Sequence, residues 1–296
     1  MKTTHSKFVL SINGCRLLML IFMMCFPLFY ANAQDDTISP EQVILLTERA
    51  EAGDADAQLV LGNMYLDGRG VAEDEKKAAE WYAKAAEQGN ADAQYSLGML
   101  YLNGMGVSED EKKAAEWFFK AAEQRNAEAQ FALGAMYLDG RGVTKDEKKA
   151  AELFFKAAEQ GDADAQFALG AMYLDGRGVA KDEKSAIEWL FKAAELGNAV
   201  AQSSLGNMFL YGIGVAKDEK KAAEWYAKAA EQGDADAQYS LGMLYLNGMG
   251  VSKDEKKAAE WFFKAAEQGN ADAQSALGGM DLNSLGVPKD EKKAAE

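Results

Sequence analysis

With 296 residues, 48% of them hydrophobic, and a formal charge of −15, the chain is long enough to bury a core and acidic enough to repel phosphate backbones. Nucleic acid and anionic membrane surfaces are therefore poor partners. Its two cysteines, Cys15 and Cys25, and its single histidine, His5, fall in the first 33 residues, so the remainder has no side chain for disulfides, thiolate nucleophiles, histidine bases or most zinc sites.

In chain order, Lys2, Lys7 and Arg16 precede an apolar run from Leu17 to Tyr30, followed by Ala31-Asn32-Ala33. That pattern predicts a secretory signal over 1–33, cleaved to leave Gln34 first. The run of 14 residues is shorter than the roughly 20 a spanning helix needs, so no stable membrane span is expected after cleavage. Met23 and Met24 precede Cys25 where a lipoprotein signal wants small residues. The mature chain would carry 29 Lys and Arg against 47 Asp and Glu, a net −18, in the periplasm or outside the cell. Residues 34–53 then hold "SPEQVILLTERAEAG", with Ser39 as N-cap and Pro40 at the first helical position. This reads as an N-terminal capping helix.

From about residue 54 one period of 36 residues runs to the end. Gln58, Gln94, Gln130, Gln166, Gln202, Gln238 and Gln274 recur, each followed four residues later by glycine, from Gly62 to Gly278. The units are 54–89, 90–125, 126–161, 162–197, 198–233, 234–269 and an incomplete 270–296. Residues 76–124 also match 220–268, except at Asn90 against Asp234 and Glu109 against Lys253, so part of the array is a block duplication. Each unit predicts two helices. In "NADAQYSLGMLYLNG", Ala93, Leu97, Leu100 and Tyr101 share a face behind an Asn90 cap. "DEKKAAEWFFKAAEQG" opens on a capping Asp and closes on a glycine suited to a left-handed C-cap. Its alanines and Gly98 allow close helix approach, and Glu116 and Lys120 form an i,i+4 pair. Arg125 replaces that closing glycine in one unit, which predicts a distorted joint. In the last unit Asp281 and Ser284 replace Tyr and Gly, and Glu296 falls halfway through a second helix. Decay of an end repeat, truncation, or closure by something outside the sequence is expected there.

These residues, "ADAQxxLGxxYxxGxGVxxDxxKAAEWxxKAAEQG", closely resemble the Sel-one-like repeat, a relative of the tetratricopeptide repeat. The resemblance implies an all-α fold, a right-handed α/α solenoid of helix-turn-helix repeats. It also implies an adaptor that binds protein or peptide, with no cofactor. A secreted branch of the family with a disulfide in each repeat has been linked to penicillin binding and weak β-lactam hydrolysis. This chain lacks those cysteines and stands apart from that branch.

The turn "YLDGRGVAKDEK" at 173–184 raises other chemistries. A phosphate loop would need G-x-x-x-x-G-K-[ST] between strand and helix, or a third glycine, and neither occurs. Asp162-Ala-Asp164-Ala-Gln166 alternates oxygen ligands but lacks the glycine and bidentate glutamate of a calcium loop, and helix capping accounts for it. The mature chain holds no S-x-x-K and no triad, and its acids repeat with the scaffold instead of forming a singular pair. No catalytic, cofactor or metal residue is expected. Cell-wall or carbohydrate recognition is one alternative, and hydrolysis of cell wall or β-lactam another. Trp81, Trp117, Trp189, Trp225 and Trp261, with Leu153 in the third unit, could form a sugar-stacking stripe, but fit better as anchors between hairpins.

Recognition should sit where the units differ. One varying series is Leu59, Tyr95, Phe131, Phe167, Ser203, Tyr239 and Ser275. One turn on lies another: Asn63, Met99, Ala135, Ala171, Asn207, Met243 and Gly279. In related solenoids the first helix lines the concave surface. Tyr95, Met99, Phe131, Phe167, Tyr239 and Met243 are thus the expected partner-binding residues, as exposed aromatics and adaptable methionines. Arg69, Arg141 and Arg177 join them, because that turn position becomes Met105, Ile213, Met249 and Leu285 elsewhere.

Overall fold

The computed structural model describes residues 38–282. The expected signal segment, Ser284, Leu285 and the second half of the seventh repeat lie outside the described residues. Within them are fourteen helices and no strand. A leading helix, α1 (Pro40–Glu51), is followed by first and second helices in alternation: α2 (Ala55–Asp67), α3 (Glu75–Glu87), α4 (Ala91–Asn103), α5 (Glu111–Glu123), α6 (Ala127–Asp139), α7 (Glu147–Glu159) and α8 (Ala163–Asp175). The alternation continues through α9 (Glu183–Glu195), α10 (Ala199–Tyr211), α11 (Glu219–Glu231), α12 (Ala235–Asn247), α13 (Glu255–Glu267) and α14 (Ala271–Leu282). They form two compact units, one up to Ala165 with Arg177–Ala180, the other Gln166–Gly176 with Lys181 onward.

The caps explain the helix boundaries. Ser39 and Gln42 close a reciprocal capping box ahead of Pro40. The Asn90 side chain accepts from Ala93 N at 2.9 Å, and Asp110 accepts from Lys112 N and Lys113 N at 3.1 Å. First helices end on a left-handed glycine such as Gly104, φ 69°, whose N–H donates to the Leu100 carbonyl.

Within each hairpin the repeated glycine seats a ring. A Cβ on Gly98 would stand 2.6 Å from Phe118 Cε1, and Phe118 is wholly buried. Tyr82 over Gly62 and Phe154 over Gly134 repeat this in the first unit, Tyr226 over Gly206 and Phe262 over Gly242 in the second. Burying each such ring contributes on the order of 2 kcal/mol. Alanines fill the space around it, as Ala78, Ala79, Ala85, Ala86 and Ala93 do around Tyr82.

Between hairpins the repeated glutamine does the joining. Gln94 is buried; its Nε2 donates to the Ala86 carbonyl of the preceding repeat at 3.1 Å, and its Oε1 accepts from Gln124 Nε2 at 2.8 Å. Gln58, Gln130, Gln202 and Gln238 make the same pair of bonds. A buried amide so satisfied locks the angle between successive hairpins, because any other angle would strand its polar atoms. Arg125 adopts φ 67°, matching its glycine counterparts in sign, and Asn126 N still donates to Ala121 O at 3.1 Å, as Asn90 N does to Ala85 O. The distortion expected at this joint is absent: the cost is a local strain on one residue, and the geometry of the joint is kept.

Candidate interaction surface

The turn of 173–184 is a structural reversal. Gly176 and Gly178 have φ of 68° and 67°, and a Cβ on Gly178 would collide with the Glu147 carbonyl, so no other residue fits there. Asp182 then caps α9 through Lys184 N and Ser185 N. The arginine between the glycines ties neighbouring repeats together. Arg177 Nη2 lies 3.1 Å from Glu147 Oε1, and Arg141 Nη2 2.6 Å from Glu111 Oε1, each reaching 30 residues back to the start of the preceding second helix. Arg177 and then Lys145 hold the Glu147 carboxyl below the usual carboxylate range. Arg69 lies 3.5 Å from Asp67. Where the arginine gives way to Met105 or Met249, the side chain packs on the hairpin core instead. The position therefore varies between an ion pair and an apolar contact at one joint.

The varying first-helix face divides into closed and open parts. Tyr95, Met99, Tyr239 and Met243 are half-buried, with part of each side chain at the surface. Tyr95 leans on Phe118 at 5.7 Å between ring centres, and Tyr239 on Phe262 at the same distance. Phe131 and Phe167 depart from expectation: they are 6% and 5% exposed, and Phe131 lies 5.5 Å from Phe154. Their small companions Ala135 and Ala171 are fully buried. An aromatic followed by alanine one turn on sinks into the core, whereas tyrosine followed by methionine stays near water. This pairing was the signal in the sequence that separates the two groups. The partly open tyrosine–methionine pairs thus lie on α4 in the first unit and on α12 in the second.

On the second helices, the tryptophans are anchors. Trp117 packs on the core that α3 shares with α4 of the next hairpin, and Trp261 on the one that α11 shares with α12. Lysine ammoniums cover their free sides, with Lys120 Nζ 3.6 Å from the Trp117 ring centre and Lys264 Nζ 4.1 Å from that of Trp261. Lys120 was expected beside Glu116, and its ammonium lies over the ring. A sugar would have to displace these lysines before stacking. Asp162 caps α8 through Ala165 N at 2.6 Å. Among the described residues no three His, Cys, Asp or Glu side chains gather as a metal site, and no helix is long and apolar enough to cross a membrane.

The Sel1 repeat family pattern matches seven consecutive stretches, 55–90, 91–126, 127–162, 163–198, 199–234, 235–270 and 271–296. The chain is a Sel1 repeat protein. Its fold is the α/α solenoid of consecutive helical hairpins that the resemblance implied. Among solved structures it is similar to a protective antigen of uropathogenic Escherichia coli displaying an SLR fold, at 40% identity and a TM-score of 0.78 over 83% of this chain. The match takes in 53% of the antigen, so this chain spans about half that protein's length. It also resembles a Sel1 repeat protein from Oxalobacter formigenes, at 34% identity and a TM-score of 0.71, covering 78% of this chain and 91% of the other. No curated protein matches it significantly. Sel1 repeat proteins generally mediate protein–protein interaction, and their solenoid is typically a non-enzymatic scaffold.

Proposed function

We infer that this Sel1 repeat protein is a non-enzymatic adaptor that holds a protein or peptide partner against its first helices, in the bacterial envelope or outside the cell. The observation that carries this reading is where the repeats differ. Their caps, turns, glutamines and ring seats are nearly constant, while the first-helix series alternates between sealed (Phe131, Phe167) and partly open (Tyr95, Met99, Tyr239, Met243). A half-buried tyrosine beside a methionine offers rigid apolar area and an adaptable neighbour, the composition of recognition surfaces. The secretory pattern of 1–33 supports the exported location. The test is crosslinked affinity capture from the native envelope with wild type and with Tyr95→Ser, Met99→Ala. Loss of a captured protein at unchanged helicity is the expected result; equal capture would reject the surface. Cleavage of nitrocefin or of cell wall by the purified mature chain would overturn the non-enzymatic reading.

A further inference from the structure

Helices α4 and α12 have the same thirteen residues, ADAQYSLGMLYLN, yet they are covered differently. Leu102 on α4 is 6% exposed, whereas Leu246, its counterpart on α12, is only partly buried. The first helices that follow the two copies also differ. After α4 comes α6, which brings Phe131 and Ala135; after α12 comes α14, which has Ser275 and Gly279 at those positions. Phe131 is buried against Phe154, while Ser275 is exposed. Between α12 and α14 a groove of about 420 Å³ is left, lined by Tyr239, Met243, Leu246, Ser275, Gly279 and Met280, with Asp272 and Ala276 also bordering it. That volume lies within the roughly 300–1,000 Å³ of ordinary ligand sites.

Resting on the adaptor reading above, we propose that this groove is a seat for one aromatic side chain of a partner peptide, with a lysine or arginine beside it. In the first copy of the duplicated block the position of Ser275 is taken by a phenylalanine, Phe131, which is buried. The second copy keeps the tilted ring pair, Tyr239 to Phe262 at 5.7 Å, that such a guest would meet. Met243 and Met280 supply deformable walls. The charge of the guest follows from Asp272 at the rim and from a chain with 47 acidic against 32 basic residues. Burial, and after it the charges of Asp272 and Tyr211, raises the pKa of the Tyr239 hydroxyl above its ordinary value, so the group is a neutral donor for the guest backbone.

The experiment is a titration of the methionine-methyl-labelled full chain with acetyl-Lys-Phe-Lys-amide, read as carbon–proton shifts of Met243 and Met280. Saturable shifts at these two methyls are expected, absent with acetyl-Lys-Ala-Lys-amide, and weakened about threefold by Asp272→Asn. The double variant Ser275→Phe, Gly279→Ala puts the side chains of α6 at these positions and is expected to abolish the shifts. Ser275→Leu serves the same end should the double variant unfold. Three outcomes overturn the proposal: no shift at these methyls, equal shifts with the alanine peptide, or shifts that survive in the filled variants. Concentration-dependent shifts without peptide would also overturn it, assigning the groove to a second copy of the chain. If an envelope partner is lost by Tyr95→Ser, Met99→Ala but kept by the filled variants, the adaptor reading stands and the aromatic seat falls.

Discussion

Asp162 occupies a position that four other joints give to asparagine, Asn90, Asn126, Asn198 and Asn270. There the amide helps: Asn90 Nδ2 donates to Asp56 at 3.1 Å and Asn126 Nδ2 to Asp92 at 2.9 Å. Asp162 has only a carboxyl to offer, and burial foremost, with the charges of Asp164 and Glu128, pushes its pKa from 3.8 up to about 6. The folded state then binds the proton more tightly than the unfolded one. This group favours folding below about pH 4, and that contribution is lost as pH rises through about 6. Asp162→Asn keeps the cap and removes the penalty, so it should stabilise the chain by about 1–2 kcal/mol at pH 7.5 and by little at pH 4. Thermal melts of variant and wild type at the two values check this. A similar repair is available at Arg125, held at φ 67°. Arg125→Gly restores the residue of its sister joints and should raise stability by about 1 kcal/mol, measured by urea unfolding.

At the scale of the hairpin, the glycine seat decides how closely the two helices approach. Gly98→Ala puts a methyl 2.6 Å from Phe118 Cε1 and should cost about 1–3 kcal/mol, despite the better helix propensity of alanine. In a Phe118→Ala background the same change should be close to neutral, and a double-mutant cycle in urea reads the difference. Much of this element was legible in the sequence. Caps, glycine stops and a 36-residue period are local signals, and each sets a boundary without reference to the rest of the chain. The glutamine was legible as a marker but not as a bridge, since its partners, Ala86 and Gln124 for Gln94, sit at the C-terminal ends of two different second helices. Phe131 and Phe167 were misread as surface for a related reason. Periodicity says which face of a helix a residue occupies, and only the neighbouring helices determine whether that face meets water.

For the whole molecule, a stack of hairpins gains stability from each interface with its neighbours, so most positions must repeat and few are free to specialise. The free positions here are the first-helix series and the turn arginine, and the latter is tied into ion pairs at Glu111 and Glu147. Under the proposed function, the tyrosine–methionine pairs carry specificity in an otherwise monotonous, acidic chain. A cationic partner should associate more slowly as salt rises, with the fall visible in stopped-flow rates between low and physiological ionic strength. The most direct test of the account places a photo-crosslinking residue at Met99, on a first helix, or at Glu116, on the exposed side of a second. Crosslinking in the native envelope should give one partner adduct from position 99 and none from position 116. The same adduct from both, or from position 116 alone, would contradict the assignment of recognition to the first helices.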